Sequence, residues 1–129
     1  MDKDLILRVL LVWGGMMCAE ILHGIVRMKF LSPYVGDFRS RQIGVGTGSL
    51  LVLVLTYYFL PGLNAKASEL MSIGIVWATL TVFFEIALGR AFHLTWSRIF
   101  SDFNIFHGGL LPLGLATMAV APWLMTKLR

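Results

Sequence analysis

The stretch LMSIGIVWATLTVFFEIALG, residues 70–89, decides the fold class, because its 20 residues include a single charged one, Glu85. About 20 apolar residues in α-helical form cross the roughly 30 Å of hydrocarbon in a bilayer. Three further apolar runs occupy residues 9–26, 43–60 and 105–125. In lipid only helices and closed barrels satisfy their backbone groups, and runs this long exclude barrel strands. The sequence therefore predicts an all-α membrane protein with four transmembrane helices.

The composition supports a single domain, residues 1–129, that lies in a lipid bilayer. Hydrophobic residues make up 57% of the chain and charged residues 14%, whereas soluble domains carry about 25% charged residues. The net charge of +4 fits loops beside anionic headgroups better than a nucleic-acid surface, since no basic patch is interleaved with aromatics. The lone cysteine, Cys18, excludes an intramolecular disulfide and a thiolate cluster.

The chain matches itself without gaps when it is shifted by 65 residues, which indicates an internal repeat. One half covers residues 5–60 and the other residues 70–125. Two helices per half return the chain to its starting side, so we expect parallel repeats that pack as a helical bundle. The identical pairs are Glu20 and Glu85, Ile21 and Ile86, Gly24 and Gly89, Ser32 and Ser97, Asp37 and Asp102, Phe38 and Phe103, Gly44 and Gly109, and Leu50 and Leu115.

Two glutamates stand inside the predicted membrane helices. Glu20 lies seven residues before Arg27, or about 10 Å below the charged end of its helix. A carboxylate at that depth costs on the order of 2.5–3.5 kcal/mol, so both glutamates should face the bundle interior. The repeat register predicts a polar cluster at their level, composed of Glu20, Glu85, Gln42 and His107 with Arg41 and His23 nearby. Such a cluster handles a proton, an ion or a bound group, or else only holds the helices together.

The loop aspartates and the glycines have structural interpretations. Asp37 and Asp102 each precede a predicted helix, where a carboxylate accepts backbone N–H groups. Alternatively, Asp37 forms a charged vestibule with Arg39 and Arg41 above the glutamates. Five glycines are predicted to allow close helix packing or to leave room for water. They are Gly24, Gly44, Gly48, Gly89 and Gly109.

We predict no metal and no cofactor. Glu20 and His23 have the Glu-x-x-His spacing of di-iron bundles, but that motif must occur twice, and Leu88 stands at the position equivalent to His23. Haem held by two histidines would use His23 and His107, and no other feature of the sequence supports such a site. No nucleophile with an adjacent base and no cofactor fingerprint occurs, so an enzyme is the least favoured class.

The segments AEILHGIVRMKFLSPYVGDFRSRQIGVGTGSL, FEIALGR and GGLLPLGL resemble a group of short, uncharacterised bacterial inner-membrane proteins. The resemblance implies that membrane as the location and brings no activity with it. Six basic residues in the loops against five on the opposite face do not decide the orientation. Several loop arginines adjoin acidic residues, which gives a slight preference for termini inside. We expect a protein that moves or senses a proton, a cation or a small solute, as a homo-oligomer. The alternative is an accessory subunit of a larger membrane complex.

Overall fold

The computed structural model describes residues 3–60 and 66–128, and all the regular structure in these ranges is helical. Each of the four long helices has the length and hydropathy of a membrane-spanning helix. The prediction of an all-α chain with four long apolar helices is thus confirmed. The elements are α1 Lys3–Phe30, α2 Ser32–Val35, α3 Asp37–Phe59, α4 Ala67–Ala91, α5 Trp96–Ser101, a 3₁₀ turn Ile105–His107 and α6 Leu111–Leu128.

Helices α1 and α4 run in the same direction. The indole Nε1 of Trp13 donates to Thr81 Oγ1 at 3.0 Å, and the indole of Trp77 donates to the Val9 carbonyl at 2.9 Å. Both pairs are 68 residues apart, and a constant separation means parallel helices. The four long helices therefore lie side by side with α1 and α4 pointing one way.

Helix α6 packs against both α3 and α4, with its most extensive contact on α4. At Gly74 of α4 the two backbones approach so closely that an added Cβ would collide with the Ala119 carbonyl of α6. Gly114 of α6 faces Val45 of α3, where an added Cβ would lie 3.3 Å from the valine Cγ1. With α1 beside α3 and α4, the helices form a ring in the order α1, α3, α6, α4.

The apolar core lies in the half of the bundle that contains the start of α1 and the end of α6. Its most enclosed side chain is Trp77, with no exposed surface, surrounded by core residues such as Met16, Ile73 and Met118. The outward faces are also apolar, as Leu11 shows with two thirds of its surface exposed. An apolar exterior around an apolar core is what a bilayer requires and what a soluble helix avoids.

The last long helix begins later than predicted, at Leu111 rather than residue 105. Gly108 has a φ of +87°, in the left-handed region that stops a helix. Gly109 then lies so close to the carbonyls of Ser101 and Asp102 that a Cβ would collide with them. The amide of Leu111 donates to the Asp102 carbonyl at 3.1 Å. These contacts hold residues 102–110 as a compact turn that the apolar pattern alone does not reveal.

Neither loop aspartate caps a helix N-terminus, contrary to expectation. Gly36 is the N-cap residue of α3, and Asp37 stands in the first helical turn, where its charge still favours the helix dipole. Asp102 follows α5 at its C-terminal end. Both carboxylates instead bind arginines, because two guanidinium groups lie within reach of each.

Candidate functional site

Glu20 of α1 is half-buried against α3 at a position where α3 has no side chain. A Cβ placed on Gly48 would lie 2.9 Å from Glu20 Oε2 and 3.3 Å from Oε1. The glycine therefore provides space for a carboxylate rather than for a second helix backbone. The prediction that Gly48 supports close helix packing needs this correction, because a charged side chain fills the space.

His23 joins Glu20 to Thr47 of α3. Its Nδ1 lies 3.7 Å from Glu20 Oε2, and its Nε2 lies 2.6 Å from Thr47 Oγ1. The Thr47 hydroxyl also lies 3.3 Å from the carbonyls of Ile43 and Gly44, so it can donate to one of them while it accepts from Nε2. A neutral imidazole then has its proton on Nε2 and presents a lone pair on Nδ1 to the carboxylate. One added proton between the two groups turns this contact into an ion pair.

Glu85 of α4 approaches the same region from the other side of α1. Its carboxylate is half-buried and interacts electrostatically with Glu20, as well as with Arg27 and Asp102. Among residues 3–60 and 66–128, no ion pair involves Glu85. We call Glu20 and Glu85 the glutamate pair.

Arg27 lies about two turns beyond Glu20, at the loop end of α1. Its Nη1 donates to Ser40 Oγ at 2.9 Å, and the hydroxyl of Ser32 donates to the same oxygen at 2.7 Å. Ser40 is fully buried. A Cβ on Gly44 would lie 2.7 Å from Arg27 Cδ, so Gly44 accommodates the arginine as Gly48 accommodates Glu20.

Four charged side chains form a ring above Arg27, and we call them the loop tetrad: Asp37, Arg41, Arg98 and Asp102. Arg41 Nε lies 3.1 Å from Asp37, and its Nη1 lies 2.5 Å from Asp102. Arg98 closes the ring at 3.1 Å from Asp102 and 3.6 Å from Asp37. The ring ties the start of α3 to α5. Of the three residues predicted to form a vestibule, Asp37 and Arg41 belong to this ring, whereas Arg39 is exposed outside it.

An apolar layer closes the site on the side of the chain termini. One turn below Glu85, the Thr81 hydroxyl accepts from Trp13 and donates to the Trp77 carbonyl at 2.8 Å. Four residues before Glu20 lies the buried side chain of Met16, and four residues before Thr81 lies that of Trp77. The glutamate pair, Arg27 and the loop tetrad therefore lie in the loop half of the bundle.

Two predicted members of the polar cluster lie elsewhere. Gln42 donates through Nε2 to the Gly108 carbonyl at 2.8 Å, and so holds the turn before α6. His107 is exposed beside a surface cavity of about 390 Å³ that Phe38 and Asn104 also line. The cause is the late start of α6, which leaves His107 in the turn instead of inside a membrane helix.

The other predicted packing glycines have separate roles. A Cβ on Gly24 would meet no atom within 4 Å, so this position is open and supports no close contact in the described residues. A Cβ on Gly89 would lie 2.8 Å from the Ile99 side chain, so Gly89 admits α5 against α4. Gly109 admits the carbonyls of the α5 end, as described above. Of these three, only Gly89 and Gly109 mediate close packing.

Sequence reasoning missed Ser40, Thr47 and Arg98. A signal for the first two was present, because Ser40, Gly44, Thr47 and Gly48 recur at the three-to-four-residue spacing of one helical face. Gln42 belongs to a different face of that helix. Nothing in the register of the repeat indicated Arg98, since its equivalent residue is Pro33.

Comparison with protein-family models, curated proteins and solved structures gave no match. Within the described residues, no group of three His, Cys, Asp or Glu side chains is suited to hold a metal ion. The chemistry that the site offers is that of two neighbouring carboxylates and an imidazole. Such groups take up protons and small cations.

Proposed function

We propose that this chain is an integral membrane protein whose glutamate pair binds a proton or a small cation entering from the loop face. The observation that carries the proposal is a contrast between two sets of acidic groups. In the loop tetrad, Asp37 and Asp102 each pair with two arginines. In the described part of the chain, neither Glu20 nor Glu85 pairs with an arginine or lysine. Carboxylates at membrane depth without a direct basic partner are stabilised by taking up a proton or by binding a cation.

His23 suits the proton more than the metal cation. Its Nδ1 faces Glu20 at 3.7 Å and its Nε2 is engaged by Thr47. Protonation of the imidazole places a positive charge beside the carboxylate without any movement of α1 or α3. Binding and release of one proton is therefore possible within the packed helices.

The apolar layer makes this a one-sided site. Because Met16, Trp77 and their neighbours are buried below the glutamate pair, uptake and release take place at the loop face. Sensing requires no more than that. Movement of the ion to the other face requires a second arrangement in which this layer opens, as in alternating access.

The membrane arrangement is part of the proposal: four spanning helices, two parallel repeats, and both termini on the cytoplasmic side of a bacterial inner membrane. The parallel course of α1 and α4 supports the repeats. The basic residues are divided almost equally, six on the loop face and five on the opposite face, so their count does not decide the orientation.

An accessory subunit without ion binding is the second candidate. It is favoured by the contacts that the polar groups make with one another, such as Arg27 with Ser40 and His23 with Thr47. Polar contacts of this kind contribute about 0.6 kcal/mol each to helix association in membranes. In this case the chain is recovered with a larger partner instead of as a homo-oligomer, which native mass measurement after gentle extraction distinguishes.

The test is proton uptake and ion flux by the purified chain in liposomes, compared with Glu20→Gln and Glu85→Gln. We expect each variant to lose uptake while keeping the helical content and unfolding temperature. Glu69→Gln is the matched control, because Glu69 is a carboxylate in the first turn of α4, at the other end of the helix from Glu85. Unchanged uptake in both site variants refutes the proposal. Lower stability without a change in uptake supports the accessory subunit.

A further inference from the structure

A groove between α1 and α3 lies outside the polar site, in the half of the bundle that contains the chain termini. Its volume is about 410 Å³, which is within the range of sites for small ligands. The walls are apolar and the one charged group is Arg8. Its lining residues are Leu11, Val12, Gly15 and Met16 of α1 with Leu55 and Phe59 of α3.

The groove runs along the helices for about the length of a short acyl segment. Arg8 and Gly15 are seven residues apart on α1, or about 10 Å. Gly48 of α3 lies beside Glu20 of α1. Phe59 is eleven residues beyond Gly48, and Val9 is eleven residues before Glu20. Phe59 therefore lies near the level of Arg8. The groove therefore extends from this end of the bundle toward the middle of α1.

Gly15 forms an open notch in the groove. A Cβ placed on it would meet nothing within 4 Å, and the residue is exposed. Because Gly15 has no side chain, the groove includes the space that a larger residue would fill.

Arg8 provides charge at the outer end. It is exposed, and none of the ion pairs among residues 3–60 and 66–128 includes it. It stands in the second turn of a candidate membrane-spanning helix. A long arginine side chain at such a position extends toward the headgroup level, where lipid phosphates lie.

We infer that this groove binds one anionic phospholipid, with an acyl chain between α1 and α3 and the phosphate at Arg8. Charge complementarity identifies the occupant. A cation at the rim of an otherwise apolar groove matches a ligand with one negative end and a hydrocarbon body. Free phosphate matches only Arg8 and leaves the apolar walls in contact with water. A lipid of net negative charge gains more from Arg8 than one whose headgroup carries its own ammonium.

The experiment is native mass spectrometry of the full chain from detergent, with added phosphatidylglycerol or phosphatidylcholine. We expect one phosphatidylglycerol per chain to be retained at least tenfold more strongly than phosphatidylcholine. Gly15→Leu, which fills the notch, and Arg8→Gln, which removes the charge, should each reduce that retention about tenfold. Inorganic phosphate should not displace the lipid.

Two controls match these variants. Gly46→Leu enlarges an exposed, open glycine of α3 outside the groove, and Lys3→Gln removes a basic charge from α1 outside the groove. Both should retain lipid as the unmodified chain does. Equal retention by all four variants, or equal retention of the two lipids, overturns the inference. If Gly15→Leu does not fold, Arg8→Gln still decides, because its exposed side chain takes no part in the core.

Discussion

At the scale of single residues, glycine in α3 makes room for charge. Gly44 faces Arg27 and Gly48 faces Glu20, so a Gly-x-x-x-Gly pattern accepts polar side chains instead of a neighbouring backbone. The same residue type has the opposite effect in α4, where Gly74 lets the α6 backbone approach. The pattern alone does not distinguish the two uses, because both need only a missing Cβ.

Gly48→Ala should disturb the site while leaving the fold intact. The new methyl would lie 2.9 Å from Glu20 Oε2, at the flexible end of a side chain, so the carboxylate moves away and its contact with His23 is lost. We expect reduced proton uptake at an unchanged unfolding temperature. Gly46→Ala adds the same methyl in open space on the same helix and should behave as the unmodified chain. Equal uptake by both variants would show that the position of Glu20 is unimportant.

At the scale of elements, the sequence reveals helices better than the turns between them. Long apolar runs identify four helices because burial in lipid demands continuous hydrophobicity. The start of α6 escapes this reasoning, since Ile105 and Phe106 are apolar but lie in a turn set by Gly108. Pro112 carried the missing signal, because proline in the first turn is typical of a helix that has just begun. Glu20 and Glu85 lie in two of the long helices that the apolar runs predicted, whereas His107 lies in the turn that they did not reveal.

Gly74→Ala should destabilise the α4–α6 interface. The added methyl meets the Ala119 carbonyl, which is backbone and cannot rotate away, so the helices must separate. Overpacking of this kind costs about 1–3 kcal/mol. The measurement is unfolding in detergent followed by circular dichroism. Gly14→Ala, whose Cβ meets nothing within 4 Å, should show no loss. A stable Gly74→Ala variant would contradict the close approach of these helices.

The loop tetrad should couple the start of α3 to α5. In a double-mutant cycle of Arg41→Gln and Asp102→Asn, we expect an interaction free energy of about 1 kcal/mol, near the upper end for exposed pairs. The reason is that only 14% of the Arg41 side chain is exposed. The coupling should decrease in 1 M salt. Arg39→Gln, at an exposed position two residues away, should show no coupling to Asp102. Equal values for Arg41 and Arg39 would refute a specific ring.

At the scale of the whole molecule, polarity is divided along the helices. The loop half contains the tetrad, Arg27 and the glutamate pair, and the other half contains the apolar core around Trp77. Composition reveals that charge is scarce, and the repeat reveals which polar groups are equivalent. The positions of Glu20 and Glu85 in the sequence place them near the loop ends of α1 and α4. The sequence does not reveal which polar groups touch, because that depends on which faces of α1, α3 and α4 meet.

The proposed arrangement of the chain in the membrane can be tested by cysteine labelling. In a Cys18→Ala background, Arg39→Cys lies at the start of α3 and Lys127→Cys at the end of α6, so the two thiols should be on opposite sides of the bilayer. Lys3→Cys, at the start of α1, should label from the same side as Lys127→Cys. With the termini inside, an impermeant maleimide added to intact cells should modify Arg39→Cys, and should reach the other two only after the membrane is opened. Labelling of Arg39→Cys and Lys127→Cys from one side would contradict four spans, because an uninterrupted α3, α4 and α6 crosses three times between them.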